Sequence, residues 1–306
     1  MQSTKNILLV KPANFSFNTQ TEISNAFQIK NNESEDIVKQ KTLAEFEKFE
    51  KTLKAKGINV LVFNDTPSPQ KPDAIFPNNW VTFHNDGTVI LYPMHAPNRQ
   101  AERRSDILES LSHSFKINHI VDLSKYEKEN RFLEGTGSII FDHDNKIAYA
   151  CISPRTDKEL FLKVCKLLKY KPIYFHAYDT AKKEIYHTNV MMCIGQKFAV
   201  ICLAAITSKK EKELVCSSLA TTSHQIIDIT FEQMKNFAGN MLEIKTDQNK
   251  SVLALSQSAF YSLRPDQKSE LEKYCELVPL WVKTIESIGG GSVRCMIGEI
   301  FLQPTA

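Results

Sequence analysis

The longest purely apolar stretch, 198–206, has nine residues, whereas crossing a bilayer takes about 20. No membrane span is expected. Charge of one sign is also missing: 38 Lys and Arg stand against 35 Asp and Glu, a net +3, too balanced for the basic field of a nucleic-acid binder. Neither a membrane nor a nucleic acid is an expected partner. The first ten residues carry Lys5 and the short run Ile7-Leu8-Leu9-Val10. They lack the longer apolar stretch and small-residue cleavage site of a secretory signal. No CxxC pair occurs among the seven cysteines, 151, 165, 193, 202, 216, 275 and 295. Most of them sit in apolar runs, where a thiol acts as a small hydrophobe, and a reduced cytoplasm is expected. What remains, 42% hydrophobic and 24% charged over 306 residues, is the composition of an ordinary globular protein with room for a sizeable core.

Within that composition a pattern recurs. Two apolar strand-like runs, an amphipathic helix and a further strand follow one another over 80–121, again over 132–175 and again over 185–229. A weaker copy spans 241–278. The amino-terminal third offers a strand at 7–10, a charged helix around 36–56 and a strand at 58–63, without a second hairpin strand of its own. The segment 292–302 offers a hairpin with no helix after it. The two ends therefore complete a fifth unit if the chain closes into a ring, and 1–306 is expected to form a single domain. Turn signals agree: Asn85-Asp86-Gly87, Asp142-His143-Asp144-Asn145 and Gly195-Gln196-Lys197 fall between hairpin strands. Ser153-Pro154 and Arg264-Pro265 precede helices. The charged run 39–56 reads as the solvated face of its helix.

A ring of like units points equivalent positions at one centre. Asn79, Glu134, His187, Asn240 and Cys295 are spaced 55, 53, 53 and 55 residues apart, at or near the first strand of each unit. Cys295 follows Gly289-Gly290-Gly291-Ser292, read here as a mobile loop delivering a nucleophilic thiol. The other cysteines read as buried and structural. His187, in Tyr186-His187-Thr188-Asn189, is the candidate acid and base. Glu134, in Leu133-Glu134-Gly135-Thr136-Gly137, is the group that orients and charge-stabilises it.

At these residues the sequence resembles the guanidino-group-modifying, amidinotransferase-like enzymes of the pentein superfamily. The likeness runs through Asp73-Ala74-Ile75-Phe76-Pro77-Asn78-Asn79-Trp80, 134–138, His187-Thr188-Asn189, 238–241 and 289–296, and is greatest to the citrulline-utilisation hydrolases. It implies an α/β fold, a five-bladed α/β-propeller of ββαβ units. It also implies a Cys295 nucleophile, a His187 acid and base, a Glu134 partner, no metal and no organic cofactor. Deiminases of the superfamily usually carry acids at the positions of Asn79 and Asn189. Two amides there suit a neutral ureido group better than a buried cation. Arg155 matches a family arginine that holds the substrate carboxylate, Arg99 stands at the equivalent point one unit earlier, and Asp73 is the candidate for the α-ammonium. Asn240 is counted with the substrate-binding set.

The expected activity is therefore cytoplasmic hydrolysis of a ureido or guanidino amino acid, foremost citrulline to ornithine, ammonia and carbon dioxide. The thiol would attack as thiolate beside a protonated His187. The alternatives are an arginine or methylarginine deiminase or dimethylarginine hydrolase. From another class comes a non-catalytic pentein resembling the ribosome anti-association initiation factor.

Overall fold

Strands form where apolar runs have both faces to bury. In β1 (Asn6–Lys11), Ile7 and Leu9 pack with Ile244, Ala254 and Val278 on one side. Leu8 and Val10 pack with Val81, Phe83 and Ile107 on the other. All four are within 3% of full burial. A strand covered on both faces needs a continuous apolar run rather than an alternating one, which is what Ile7-Leu8-Leu9-Val10 supplies. Each such side chain contributes roughly 1.5–3 kcal/mol through its removal from water. The chain, seen in a computed structural model that describes residues 1–30 and 33–305, repeats this arrangement.

Among the described residues there are five three-stranded sheets. One joins β1 to β2 (Asn59–Asn64) in parallel, through the helix Glu35–Ala55. The next four each pair a hairpin with a parallel third strand. They are β3 (Val81–Phe83), β4 (Thr88–Leu91) and β5 (His119–Asp122); β6 (Ile139–Asp142), β7 (Ile147–Cys151) and β8 (Lys171–Phe175); β9 (Met192–Ile194), β10 (Phe198–Ile201) and β11 (Gln225–Asp228); and β12 (Leu242–Lys245), β13 (Ser251–Ser256) and β14 (Glu276–Leu280). Last, β15 (Gly298–Glu299) pairs antiparallel with β1, Ile7 opposite Glu299, and completes the first sheet. The five blades of the propeller are thus in place, the fifth assembled from both ends of the sequence. First strands of neighbouring blades adjoin one another, β6 with β9, β9 with β12, and β15 with β3, and these line the centre.

The helices between second and third strands have the expected local signals. Ser34 caps Glu35–Ala55 through the Ile37 N–H, and Val38, Phe46, Phe49 and Leu53 form its buried face. Asp157 caps Lys158–Leu168 through Leu160 N at 2.8 Å. Leu160, Phe161, Val164, Cys165 and Leu168 line its buried stripe. The Asn85-Asp86-Gly87 turn closes the first hairpin with Gly87 at φ +84. Among the described residues no helix is long and apolar enough to cross a membrane.

Candidate active site

Just ahead of each blade's first strand the backbone makes one tight turn, and the five periodic residues sit there. Asn79 ends the 3-10 turn Pro77–Asn79 before β3. Glu134 and His187 stand immediately before the single helical turns Gly135–Ser138 and Thr188–Met191 that lead into β6 and β9. The Asn240 N–H bonds to Phe237 O at 2.8 Å ahead of β12, and the Cys295 N–H to Ser292 O at 2.9 Å ahead of β15. Equivalent turns around one ring bring these side chains to a common centre.

Glu134, fully buried, accepts from His187 Nε2 at 2.7 Å and from the His95 N–H at 2.8 Å. Burial opposes its charge. The Arg155 guanidinium, 3.6 Å away, and the His187 bond outweigh burial and hold this carboxyl well below the usual range. His187 is pushed down to about 4 by burial, against the upward pull of Glu134. At neutral pH it is an uncharged imidazole whose Nε2–H faces an anion, which leaves Nδ1 as the basic atom. A resting His187 that is neutral rather than protonated departs from the sequence-based picture, because that picture left out the cost of burial. Gly137 makes the approach possible: a Cβ there would lie 2.4 Å from Asn79 Nδ2 and 2.8 Å from the His187 ring.

The thiol of Cys295, 7% exposed, receives Asn189 Nδ2 at 3.4 Å and Asn240 Nδ2 at 3.3 Å. Its three preceding glycines are buried, in a turn that packs tightly. A Cβ on Gly289 or Gly291 would fall 2.8 Å from the Phe76 ring. Glycine is required there by close approach, where sequence reasoning expected mobility. Burial pushes the thiols of Cys151, Cys165, Cys193 and Cys275 up to about 12 and that of Cys202 to about 11.

A cavity of about 20 Å³ lies over the sulfur, bordered by Asp73, Asn79, Arg99, Arg155, His187 and Cys295 among others. Arg99 is bound to Glu102 at 2.9 Å through two donors and to Asn79 Oδ1 at 2.8 Å. Its guanidinium therefore fixes the Asn79 amide with the NH2 toward the cavity. Arg155 lies on the Tyr186 ring, 4.8 Å from its centroid, and donates through Nη2 to Ser24. Asp73 accepts from Asn18 Nδ2 at 2.7 Å, and burial raises its carboxyl against the pull of Arg99. Asn189 and Asn240 lie behind the sulfur and do not border the cavity. Several buried polar atoms here have no protein partner: Asp73 Oδ1, Asn79 Nδ2, Asn189 Oδ1 and Arg155 Nε. Among the described residues, no group of three or more His, Cys, Asp or Glu side chains is arranged to hold a metal.

Sequence reasoning missed Asn18, Ser24 and Asn25, which come from the polar segment before the helix Glu35–Ala55, and Glu102, which fixes Arg99. Ser24, Asn25 and Asn18 carry no periodic or motif signal. Glu102 had a weak one, standing three residues after Arg99.

Among solved structures, the N-terminal domain of ArgZ, covalently bound to a reaction intermediate in an asparagine-to-serine variant, matches with TM-score 0.75 at 16% identity, covering 97% of this chain and 99% of that domain. ArgZ is an arginine dihydrolase from the ornithine-ammonia cycle in Cyanobacteria, and this chain spans 40% of its full length. A dimethylarginine dimethylaminohydrolase, seen as a histidine-to-glycine variant in an adduct with S-methyl-L-thiocitrulline, matches with TM-score 0.64 at 13% identity over 97% of this chain and 100% of that one. At these identities the likeness establishes the pentein fold. No curated protein sequence matches the chain. The family model for N,N dimethylarginine dimethylhydrolase, eukaryotic, matches residues 11–302. These names are those of guanidino enzymes, and they favour the arginine and methylarginine alternative over the citrulline expectation. With a match that runs over nearly its whole length, the chain belongs to the N,N dimethylarginine dimethylhydrolase family of the pentein superfamily.

Proposed function

We propose that the protein hydrolyses the guanidino group of an arginine-type amino acid, arginine or a methylarginine, through a covalent intermediate on Cys295. The observation that carries this reading is the charge of the site. Two buried guanidiniums, Arg99 and Arg155, stand against three buried carboxyls, Asp73, Glu102 and Glu134. Burial pushes Glu102 up to about 7 and raises Asp73, so the balance reaches −1 when both ionise, a state that an arriving guanidinium favours and neutralises. The family match and the substrates named for the similar structures point the same way.

In this reading His187 Nδ1 takes the thiol proton as Sγ bonds to the guanidino carbon. The imidazolium, stabilised by Glu134, returns that proton to the departing nitrogen as the C–N bond breaks. Water then adds to the S-linked carbon with His187 again as base. The C–S bond breaks, releasing a ureido product and regenerating the thiol. Arg155, with Nε free, holds the substrate carboxylate, and Asp73 the α-ammonium.

One observation favours a second reading. Because Arg99 fixes the Asn79 amide through its oxygen, the unpartnered NH2 of Asn79, a donor, is the end left for a ligand. A donor there matches the C=O of a ureido group, as in citrulline, whereas a guanidinium offers only donors. The test is turnover of arginine, methylated arginines and citrulline, with ornithine, citrulline and ammonia assayed and Cys295→Ser as control. The guanidino reading expects kcat/KM at least ~10-fold higher for a guanidino substrate. Turnover of citrulline alone establishes the ureido reading in its place.

A further inference from the structure

Asn240 has no catalytic assignment in the reading above, yet its side chain is more constrained than any other at the sulfur. Its Oδ1 accepts the Arg294 N–H at 3.1 Å, so the oxygen end of the amide is fixed. Its Nδ2 donates to Asn189 O at 3.0 Å and lies 3.3 Å from Cys295 Sγ. An amide nitrogen carries two hydrogens. One is spent on the carbonyl, and the second is aimed at the sulfur. Asn189 Nδ2, at 3.4 Å, adds another donor to the same atom. Sγ also lies 3.7 Å from Asn240 Oδ1, so a neutral thiol can rest its own proton there.

We propose that Asn240, with Asn189, forms an amide cradle that holds Cys295 sulfur as an anion at the moment of attack. This inference rests on the proposed role of Cys295 as nucleophile. The physical argument concerns charge. His187 is uncharged at rest, and no Lys or Arg side chain bonds to Sγ among the described residues. Negative charge that develops on sulfur as its proton passes to His187 is met, besides the imidazolium formed in that step, by neutral N–H donors already in place, the same arrangement that stabilises an oxyanion. The two amides come from different blades, ahead of β12 and β9, and the Asn240-to-Asn189 bond ties them together. Loss of the Asn240 donor therefore disturbs both.

The test is alkylation of Cys295 by iodoacetamide at neutral pH, followed by mass spectrometry of the peptide that contains it. This needs no knowledge of the substrate. Asn240→Asp keeps an oxygen for the Arg294 N–H but replaces the donating nitrogen by an acceptor. We expect alkylation at least tenfold slower than in the parent, kcat lower by a similar factor and KM changed less than threefold. If Asn240→Asp does not fold, Asn240→Ala serves, with at least fivefold slower alkylation expected. A purely structural Asn240 gives the opposite sign, because a loosened pocket admits the reagent faster. Alkylation as fast as or faster than the parent in the folded variant overturns the cradle. If alkylation slows while no guanidino or ureido compound is turned over, the cradle stands and the substrate reading fails. If turnover is present and alkylation is unmoved, the reverse holds.

Discussion

His187 and Glu134 are 53 residues apart in sequence and 2.7 Å apart in space, and the consequences of that bond can be measured. With His187 pushed down to about 4, its neutral form persists over the whole range between 4 and the ordinary 6.5. If neutral His187 is the base, the acid limb of kcat/KM in the free enzyme falls near pH 4. A pH–rate profile with its acid limb at 6 to 7 would instead mean that burial does not depress the imidazole. Glu134→Gln removes the anion that faces the imidazolium formed during attack. We expect kcat lower by roughly 10²–10⁴-fold, read by steady-state kinetics at pH 7 with circular dichroism as a check on folding. The pairing was legible in the sequence through the unit spacing alone. Protonation was not, since it depends on burial and on Arg155, which spacing does not report. The same holds for Asn240: spacing brings it to the centre, while the side of the sulfur on which it lies follows from the Arg294 N–H that fixes its amide.

Elements set the access to the site. Residues 18–29 lie across it through a chain of bonds: Asn18 to Asp73, Ser24 to Arg155, Asn25 Nδ2 to Gly289 O at 3.2 Å, and the Ile29 N–H to Ser287 O at 2.6 Å. The space of about 20 Å³ at the sulfur is far less than an amino acid needs. Opening of these bonds would widen the site for a substrate. Amide hydrogen exchange followed by mass spectrometry should find residues 18–29 exchanging well before β9 and β10 in the free protein. Saturating arginine on Cys295→Ser should slow them. An unchanged rate would place the entrance elsewhere. Strands and helices were readable from apolar runs, Ser34, Asp157 and the hairpin turns, because those signals are local. This covering segment was not: its residues are polar and aperiodic, and only contacts more than 50 positions away give them a place. The glycine turn was misjudged for a related reason, since Phe76, the ring that demands its bareness, is far off in the chain.

The whole ring closes through one short seam. β15 contributes two residues and relies on β1, where Leu8 is fully buried opposite Gly298. Leu8→Ala should cost ~2–5 kcal/mol of stability. It should also shift the loss of activity in urea to a lower midpoint together with the circular dichroism signal. Activity lost well ahead of global unfolding would mean that the seam opens by itself. The fifth blade was foreseen because each end of the sequence lacks what the other has, a deficit visible without any contact.

That seam also orders events at the ribosome. Glu134 and His187 leave the exit tunnel long before the thiol does, and β1 must wait, unpaired on one edge, until the Cys295 turn has been translated. A nascent chain stalled between the two holds Glu134 and His187 without Cys295, so the set is completed in a single late step, when β15 reaches β1.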